Sequence, residues 1–463
     1  MIINDFVKCI VTASFYLFIF MTLVSCTGGE SQPSSQSQAF LVKDLNQGLP
    51  ANASSNPANF ININGTLYFS TTGPNRLWKS DGSDNGTIIV KEFTDEIGGS
   101  LFEQFTNVNG TLYFIFGRTS WESTSTKKVW KSDGTPEGTV MLKASNSGIY
   151  TRPQNLTSLN GNLYFTADDG ANGFVFWKSN GTDTGTVQIK NFPPSGGINP
   201  YLVTINNLVL LAVSDDDHGY ELWKSDGTPS GTVLLKDIRP GILGSNPRDF
   251  TDVNGTIFFT ARDGTHGYEL WKSDGTGTGT VMVKDINPTG DSYPWNFCSL
   301  NGILYFSAND GVHGDEFWQT DGTEAGTVRA TTGVLGSSAM SPTYPVKING
   351  TTYFSAYDSV NGRKLWKSDG TALGTVLVNN IAAGSLADPS NLTNVNGTLF
   401  FITDDGIDSY QLWKSDGTAA VTVMVTKMNS GASFQNLANV NGTLFFSVDD
   451  GVHGQELWAF NTN

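Results

Sequence analysis

Beyond residue 39 the chain alternates short runs of β-branched and aromatic residues with punctuation rich in Gly, Asn and Asp, and the alternation repeats. The fifth copy shows the unit. Asp249–Val253 predicts a short strand A. Asn254-Gly255 predicts a type I′ hairpin turn, because both central positions need positive φ. Thr256–Thr260 reads as strand B, rich in residues that suit a pleated sheet. Arg262–Gly267 is a loop, Glu269–Lys272 strand C, and Ser273-Asp274-Gly275 opens a second tight turn. Gly279–Ile286 is strand D, and Asn287–Pro294 crosses to the next unit. The Trp of strand C recurs nine times, from Trp78 to Trp458, at a period of about 47 residues. The turn Asn recurs nine times as well, and only Asn206 is followed by Asn207 in place of Gly. Four antiparallel strands per unit of this length is the signature of a β-propeller blade.

The ends of the repeat array distinguish a closed ring from a solenoid. The last unit stops at Glu456-Leu-Trp-Ala-Phe-Asn-Thr-Asn463 and has no strand D. The array opens with Phe40-Leu-Val-Lys-Asp-Leu45, a lone strand D that matches Val281–Ile286. An N-terminal outer strand that pairs with the three C-terminal strands closes the ring and removes two open edges. The expectation is therefore an all-β fold: one β-propeller of nine four-stranded blades over residues 40–463.

Composition agrees and adds location. Gly is 52 of 463 residues, aromatics are 12% and charged residues only 15%, against about 25% charged in an average soluble protein. The net charge of −16 disfavours a nucleic-acid partner, which needs clustered Lys and Arg. Residues 1–25 carry an apolar run from Phe15 to Met21 and end at Leu23-Val24-Ser25, just before Cys26. This is a signal peptide with a small-residue cleavage site. It resembles the lipobox of bacterial lipoproteins, which implies that Cys26 is the lipid attachment residue. Residues 26–39 read as a flexible polar tether. After processing only Cys298 remains besides the lipidated Cys26, so no intrachain disulfide framework is expected.

The repeat constants have structural readings. Period-2 alternation puts Glu269 and Trp271 on one side of strand C and Leu270 and Lys272 on the other. The nine Trp residues then form a ring of inter-blade packing. The Lys residues are expected to lay their stems on apolar surface and keep the ammonium in water. The Asp of each Ser-Asp-Gly-Thr turn should accept bonds from turn amides, as in an Asp-box, although the spacing differs. Ser83 for Thr and Asn180 for Asp predict two weaker turns. All four His residues (His218, His266, His313, His453) sit at one repeat position, where other copies have Asn172 and Asn361. That exchange points to a left-handed turn, which both residue types tolerate, rather than to a metal. No metal site, no catalytic residue and no cofactor is expected, with calcium at the acidic loops Asp168-Asp169, Asp215–Asp217, Asp404-Asp405 and Asp449-Asp450 as the weaker alternative. Cys298 falls in a packing slot of small residues, which argues against a nucleophile.

The phrase Glu-Leu-Trp-Lys-Ser-Asp-Gly-Thr, followed by Gly-Thr-Val-Met-Val-Lys-Asp-Ile as at 279–286, resembles the bacterial ELWxxDGT repeat proteins across residues 40–463. The resemblance implies a secreted or surface protein, often labelled hyalin-like, with no settled activity. The resulting expectation is a monomeric lipoprotein of the bacterial cell envelope, on the outer membrane or surface rather than the inner membrane. It acts as a binding or adhesion module for glycan or protein. The alternatives are an extracytoplasmic hydrolase or lyase acting on glycan, and a structural envelope component. An enzyme needs repeat-breaking acids that converge; Glu103, Asp249, Asp291 and Asp388 break the pattern in different blades. The B–C loops and D–A connections share one face and carry the variation, where specificity usually resides. Trp121, Tyr201, Tyr293, Trp295 and Tyr344 are the candidate ligand contacts on that face.

Overall fold

In a computed structural model of the chain, the described residues are 38–46, 53–94, 100–118, 127–143, 151–169, 173–192, 198–300, 302–330, 343–358, 362–369, 371, 374–379, 388–404, 410–426 and 434–462. They form 36 strands, β1–β36 in chain order, and no helix. The strands group into nine four-stranded antiparallel sheets, a nine-bladed β-propeller. In blade 5 strands A to D are β18 (Arg248–Val253), β19 (Thr256–Ala261), β20 (Glu269–Ser273) and β21 (Val281–Lys284). The Asn-Gly turns are left-handed at both positions, as at Asn254 (φ 52°) and Gly255 (φ 81°), and Asn206-Asn207 keeps the same form at 44° and 66°.

The ninth blade has the order β1-β36-β35-β34. β1 (Phe40–Lys43) pairs antiparallel with β36 (Gln455–Asn461), with Phe40 opposite Ala459 and Leu41 opposite Trp458. Strand A is innermost in every blade. Each A strand packs against the A strand of the next blade, and β2 (Ala58–Ile63) closes the circle against β34 (Phe434–Val440).

The core is distributed between blades. Nine apolar clusters each bridge two neighbouring blades, and each contains one repeat Trp. Trp271 faces blade 4, whereas Leu270 faces blade 6, so the two faces of strand C divide as the alternation requires. Phe69 stacks on Trp78 at 6.0 Å and Phe165 on Trp177 at 6.0 Å.

The Lys residues depart from expectation. Their ammonium groups do not simply stay in water; they donate to backbone carbonyls of the next blade. Lys79 Nζ donates to Gly134 O at 2.9 Å, Lys272 to Gly322 O at 2.8 Å and Lys367 to Gly417 O at 2.8 Å. The Lys of strand D does the same, as from Lys284 to Thr327 O at 2.9 Å and from Lys43 to Asp84 O at 2.9 Å. A flexible stem lets the cation reach an acceptor that sequence spacing along one strand does not reveal. Gly134 (φ 88°) is required at its turn, because a Cβ there overlaps the Tyr68 hydroxyl of the preceding blade.

Each C–D turn is a closed knot. Thr228 N and Oγ1 both donate to Asp226 Oδ1, at 2.9 and 2.7 Å, and Ser225 Oγ meets Thr232 Oγ1 at 2.7 Å. The two departing turns keep these bonds. Ser83 donates twice to Asp81 Oδ1, at 2.9 and 2.7 Å, and Thr182 twice to Asn180 Oδ1, at 3.0 and 2.7 Å. A hydroxyl and an oxygen acceptor are all the knot needs, so neither turn is broken.

Candidate functional site

On the face formed by the B–C loops and D–A connections, the strand-C Glu of blades 4, 5 and 9 holds the connection in place. Glu269 is fully buried, and its carboxylate accepts from Ile286 N at 2.8 Å, Ser292 N at 3.2 Å and Ser292 Oγ at 2.7 Å. Glu221 does the same with Ile238 and Ser245, and Glu456 with Leu45 and Ser55 across the junction of the two chain ends. Burial pushes the carboxyl of Glu269 and of Glu456 up to about 7, despite these donors, and raises that of Glu221 as well. The Glu thus pins both ends of the crossing connection. The repeat shows this residue plainly; its buried acceptor role follows only once the connection folds back over strand C.

The four His residues are part of the B–C loops, but not as left-handed turn residues. None has positive φ; the following Gly219, Gly314 and Gly454 do, at 64°, 79° and 71°. Each His ring instead bonds the Asp three residues earlier: His218 Nδ1 lies 2.8 Å from Asp215, His266 2.8 Å from Asp263, His313 2.7 Å from Asp310 and His453 2.8 Å from Asp450. Hydrogen bonding to Asp raises the pKa of His218, His266 and His453. Of the acidic-loop carboxylates, Asp215 and Asp450 are thus held by His, and Asp168 pairs with Arg152, whereas Asp405 lies outside the described residues. Among the described residues no three His, Cys, Asp or Glu side chains group as a metal site. Burial pushes the Cys298 thiol up to about 11, so its thiolate is suppressed at neutral pH.

The pattern-breaking acids each have a local partner. Both oxygens of Glu103 accept from Lys127 Nζ at 2.7 Å, and Asp388 lies 3.6 Å from Arg363. Asp291 Oδ1 accepts from Tyr268 N at 2.7 Å. Asp249 lies 3.6 Å from Arg248, and burial raises its pKa.

Of the expected ligand contacts, Tyr201, Tyr293 and Trp295 are exposed, at 38%, 48% and 37%. Tyr344 lies in β26 (Thr343–Ile348), with its side chain outside the described residues. Trp121 and Cys26 fall outside the described residues altogether. Tyr201 lies in β14 (Ile198–Ile205) and Trp295 opens β22 (Trp295–Leu300), the inner strands on either side of β18. Tyr201 meets Phe250 edge-on at 6.1 Å. Tyr293 stacks on Tyr268 at 5.4 Å. Two guanidinium groups lie over Tyr268, Arg248 at 4.5 Å and Arg262 at 5.0 Å.

Tyr293 is also the site of backbone strain. Its φ is 42°, a region that costs a bulky residue about 1–3 kcal/mol. Tyr293 sits in Ser292-Tyr293-Pro294, where the equivalent triplets are Ser55-Asn56-Pro57 and Ser245-Asn246-Pro247. Asn56 and Asn246 are also left-handed, at 49°, and Asn tolerates that backbone far better than Tyr. Glu269 and Tyr268 enforce the conformation: Ser292 N and Tyr293 N both donate to Tyr268 O, at 3.0 and 3.1 Å. Arg262 is a second departure, standing where other copies have Asp168, Asn309, Asp404 and Asp449. The sequence thus held a usable signal in these columns, and Arg248, Arg262 and Tyr268 were the residues missed.

No family model matches the chain, and no curated protein matches it. Among solved structures the chain is similar to the computationally designed Ika8 protein, at 13% identity over 79% of this chain and 98% of that one, with a TM-score of 0.43. It is similar to a puromycin hydrolase at 13% identity and a TM-score of 0.38, over 76% of this chain and only 59% of the hydrolase. The β-propeller domain of the Trilobed protease from Pyrococcus furiosus shares 10% identity over 80% of this chain and 97% of that one, with a TM-score of 0.39. Each is a distant likeness that carries no activity across; the chain itself is a nine-bladed β-propeller.

Proposed function

We propose that this protein is a lipid-anchored propeller of the bacterial cell envelope, similar to the ELWxxDGT repeat proteins, that binds glycan or protein through its B–C and D–A face. The observation that carries this reading is the departure from the repeat around Tyr268. Strained Tyr293, Arg248 and Arg262 meet there, with exposed Trp295 two residues on from Tyr293 and exposed Tyr201 packed on Phe250 of the same blade as Arg248. Aromatic and Arg side chains on a rigid scaffold are the groups that anchor partners.

A glycan and protein array probed with residues 38–463 tests it. Binding is expected, and Trp295→Ala should weaken it about ten-fold, the scale of a lost aromatic anchor, at unchanged melting temperature. Losses that map instead to the Asn-Gly turns of the opposite face would sink the assignment of faces.

The anchor is tested separately. Metabolic palmitate labelling is expected for the wild type and absent for Cys26→Ala. Equal absence of label in both removes the lipoprotein reading.

A further inference from the structure

The Tyr268 cluster differs from the other connections in charge as well as in shape. Most Lys residues of strands C and D are committed to carbonyls of the next blade. Arg248 and Arg262 are not committed in this way. Both lie over Tyr268, with Cζ 4.5 and 5.0 Å from the ring centre, and Arg248 also lies 5.7 Å from the centre of the Tyr293 ring. Arg262 Nε is buried without a hydrogen-bond partner. Arg248 has a single ion pair, to Asp249, with Nε 3.6 Å from the nearest carboxylate oxygen. That is too long for a hydrogen bond. The second carboxylate of the cluster, Asp291, accepts from Tyr268 N at 2.7 Å and bonds the Tyr293 phenol, whose pKa it raises. The acids of the cluster thus serve the connection, while the guanidinium donors remain unsaturated.

We propose that this cluster is a subsite for an acidic sugar residue: the oxyanion seats between Arg248 and Arg262, and the sugar ring lies against Tyr293 or Trp295. The inference rests on the reading of this face as a ligand face and names its ligand class. Guanidinium forks match the two oxygens of a carboxylate or sulfate, and exposed aromatic faces stack on sugar rings. The strain at Tyr293 fits the same purpose. An Asn, as at positions 56 and 246, satisfies the same backbone at less cost, so the turn itself does not call for the Tyr ring. A chain of net charge −16 repels polyanions at long range, so the expected ligand is a short or sparsely charged acidic glycan.

The test is an array that carries oligouronates, their carboxyl-reduced neutral counterparts and sulfated oligosaccharides of the same length. Residues 38–463 are probed as wild type, Arg248→Gln, Arg262→Gln and Tyr293→Asn. Acidic members should be bound, and either Arg variant should weaken them about ten-fold or more, as loss of a charge-assisted bond does. The uronate and sulfate arms identify which oxyanion is held. Tyr293→Asn guards against misfolding as an explanation: it should keep or raise the melting temperature and still weaken binding. Three results overturn the proposal: equal binding of the neutral counterparts, acidic binding indifferent to both Arg variants, or no acidic glycan bound at all. Neutral-glycan or protein binding that Trp295→Ala abolishes would leave the broader reading standing. No binding at this face to any arrayed glycan or protein would remove both.

Discussion

Deleting Phe40–Leu45 is expected to unfold the whole ring rather than to trim one end. β1 supplies the outer strand of blade 9, and Val42 and Leu45 are buried, at 4% and 3% exposure, against Leu67, Phe69 and Trp78 of blade 1. Losing two such side chains costs about 1.5–3 kcal/mol each. The deletion also strips Leu45 N from the buried Glu456 carboxylate and Lys43 from Asp84, and it bares the edge of β36 to pairing with other chains. The sum is on the order of 5 kcal/mol or more, comparable with the whole stability of many domains. Calorimetry and size-exclusion chromatography should therefore show a lower, broader transition together with aggregation. An unchanged transition in a monodisperse sample would show that the strand is dispensable.

Stability should be greatest in mildly acid solution and should fall as the pH rises from about 5 to above 7. Glu269 and Glu456 have folded pKa values of about 7, above the unfolded value of 4.5. Between those limits the folded state binds more protons than the unfolded state, so stability declines with rising pH. Each contribution is fully present below 4.5 and lost as the pH passes 7, on the order of 3 kcal/mol per group. His218, His266 and His453 have raised pKa values and act in the same direction, above the unfolded value of 6.5. The turn acids oppose them only at low pH. Asp226, Asp274 and their equivalents have lowered pKa values, so their contribution is present above 3.8 and lost as the pH falls through the folded values. Melting temperatures from pH 3 to 9 should pass through a maximum near 4.5–5. The high-pH arm should be shallower in Glu269→Gln. A profile that rises steadily to pH 8 would show that donors, not burial, govern these carboxylates.

The fold was legible because repetition multiplies weak signals. One Asn-Gly dipeptide is ambiguous, but eight of them and one Asn-Asn at a common spacing fix strand order, blade count and the exchange between Phe40–Leu45 and the last unit. The contacts that bind blade to blade were not legible in the same way. Lys272 and Gly322 are 50 residues apart, and nothing along strand C indicates that the ammonium crosses to the next turn. The candidate site was half legible. Tyr293, Trp295 and Tyr201 stood out as aromatic departures from the repeat. Arg262 departs from a column of Asp and Asn, but neither it nor Arg248, at the start of β18, pointed to a site until the fold brought both over one ring. The His position misled for a related reason. Substitution by Asn suggested a backbone preference, whereas the ring serves as a partner for the Asp of its own loop.

The pairing of β1 with β36 also sets a polarity of display. β1 runs antiparallel to strand C of its blade, with Phe40 opposite Ala459, so the chain enters the ring where the other blades have their C–D turns. The last residues lie on that same side: Thr462 Oγ1 donates to Gly442 O at 2.7 Å, beside an A–B hairpin. The variable connections, with Glu269 beneath them and the Tyr268 cluster among them, occupy the opposite side. Both ends of the described chain thus lie on the uniform side of the ring, and the irregular side carries neither of them.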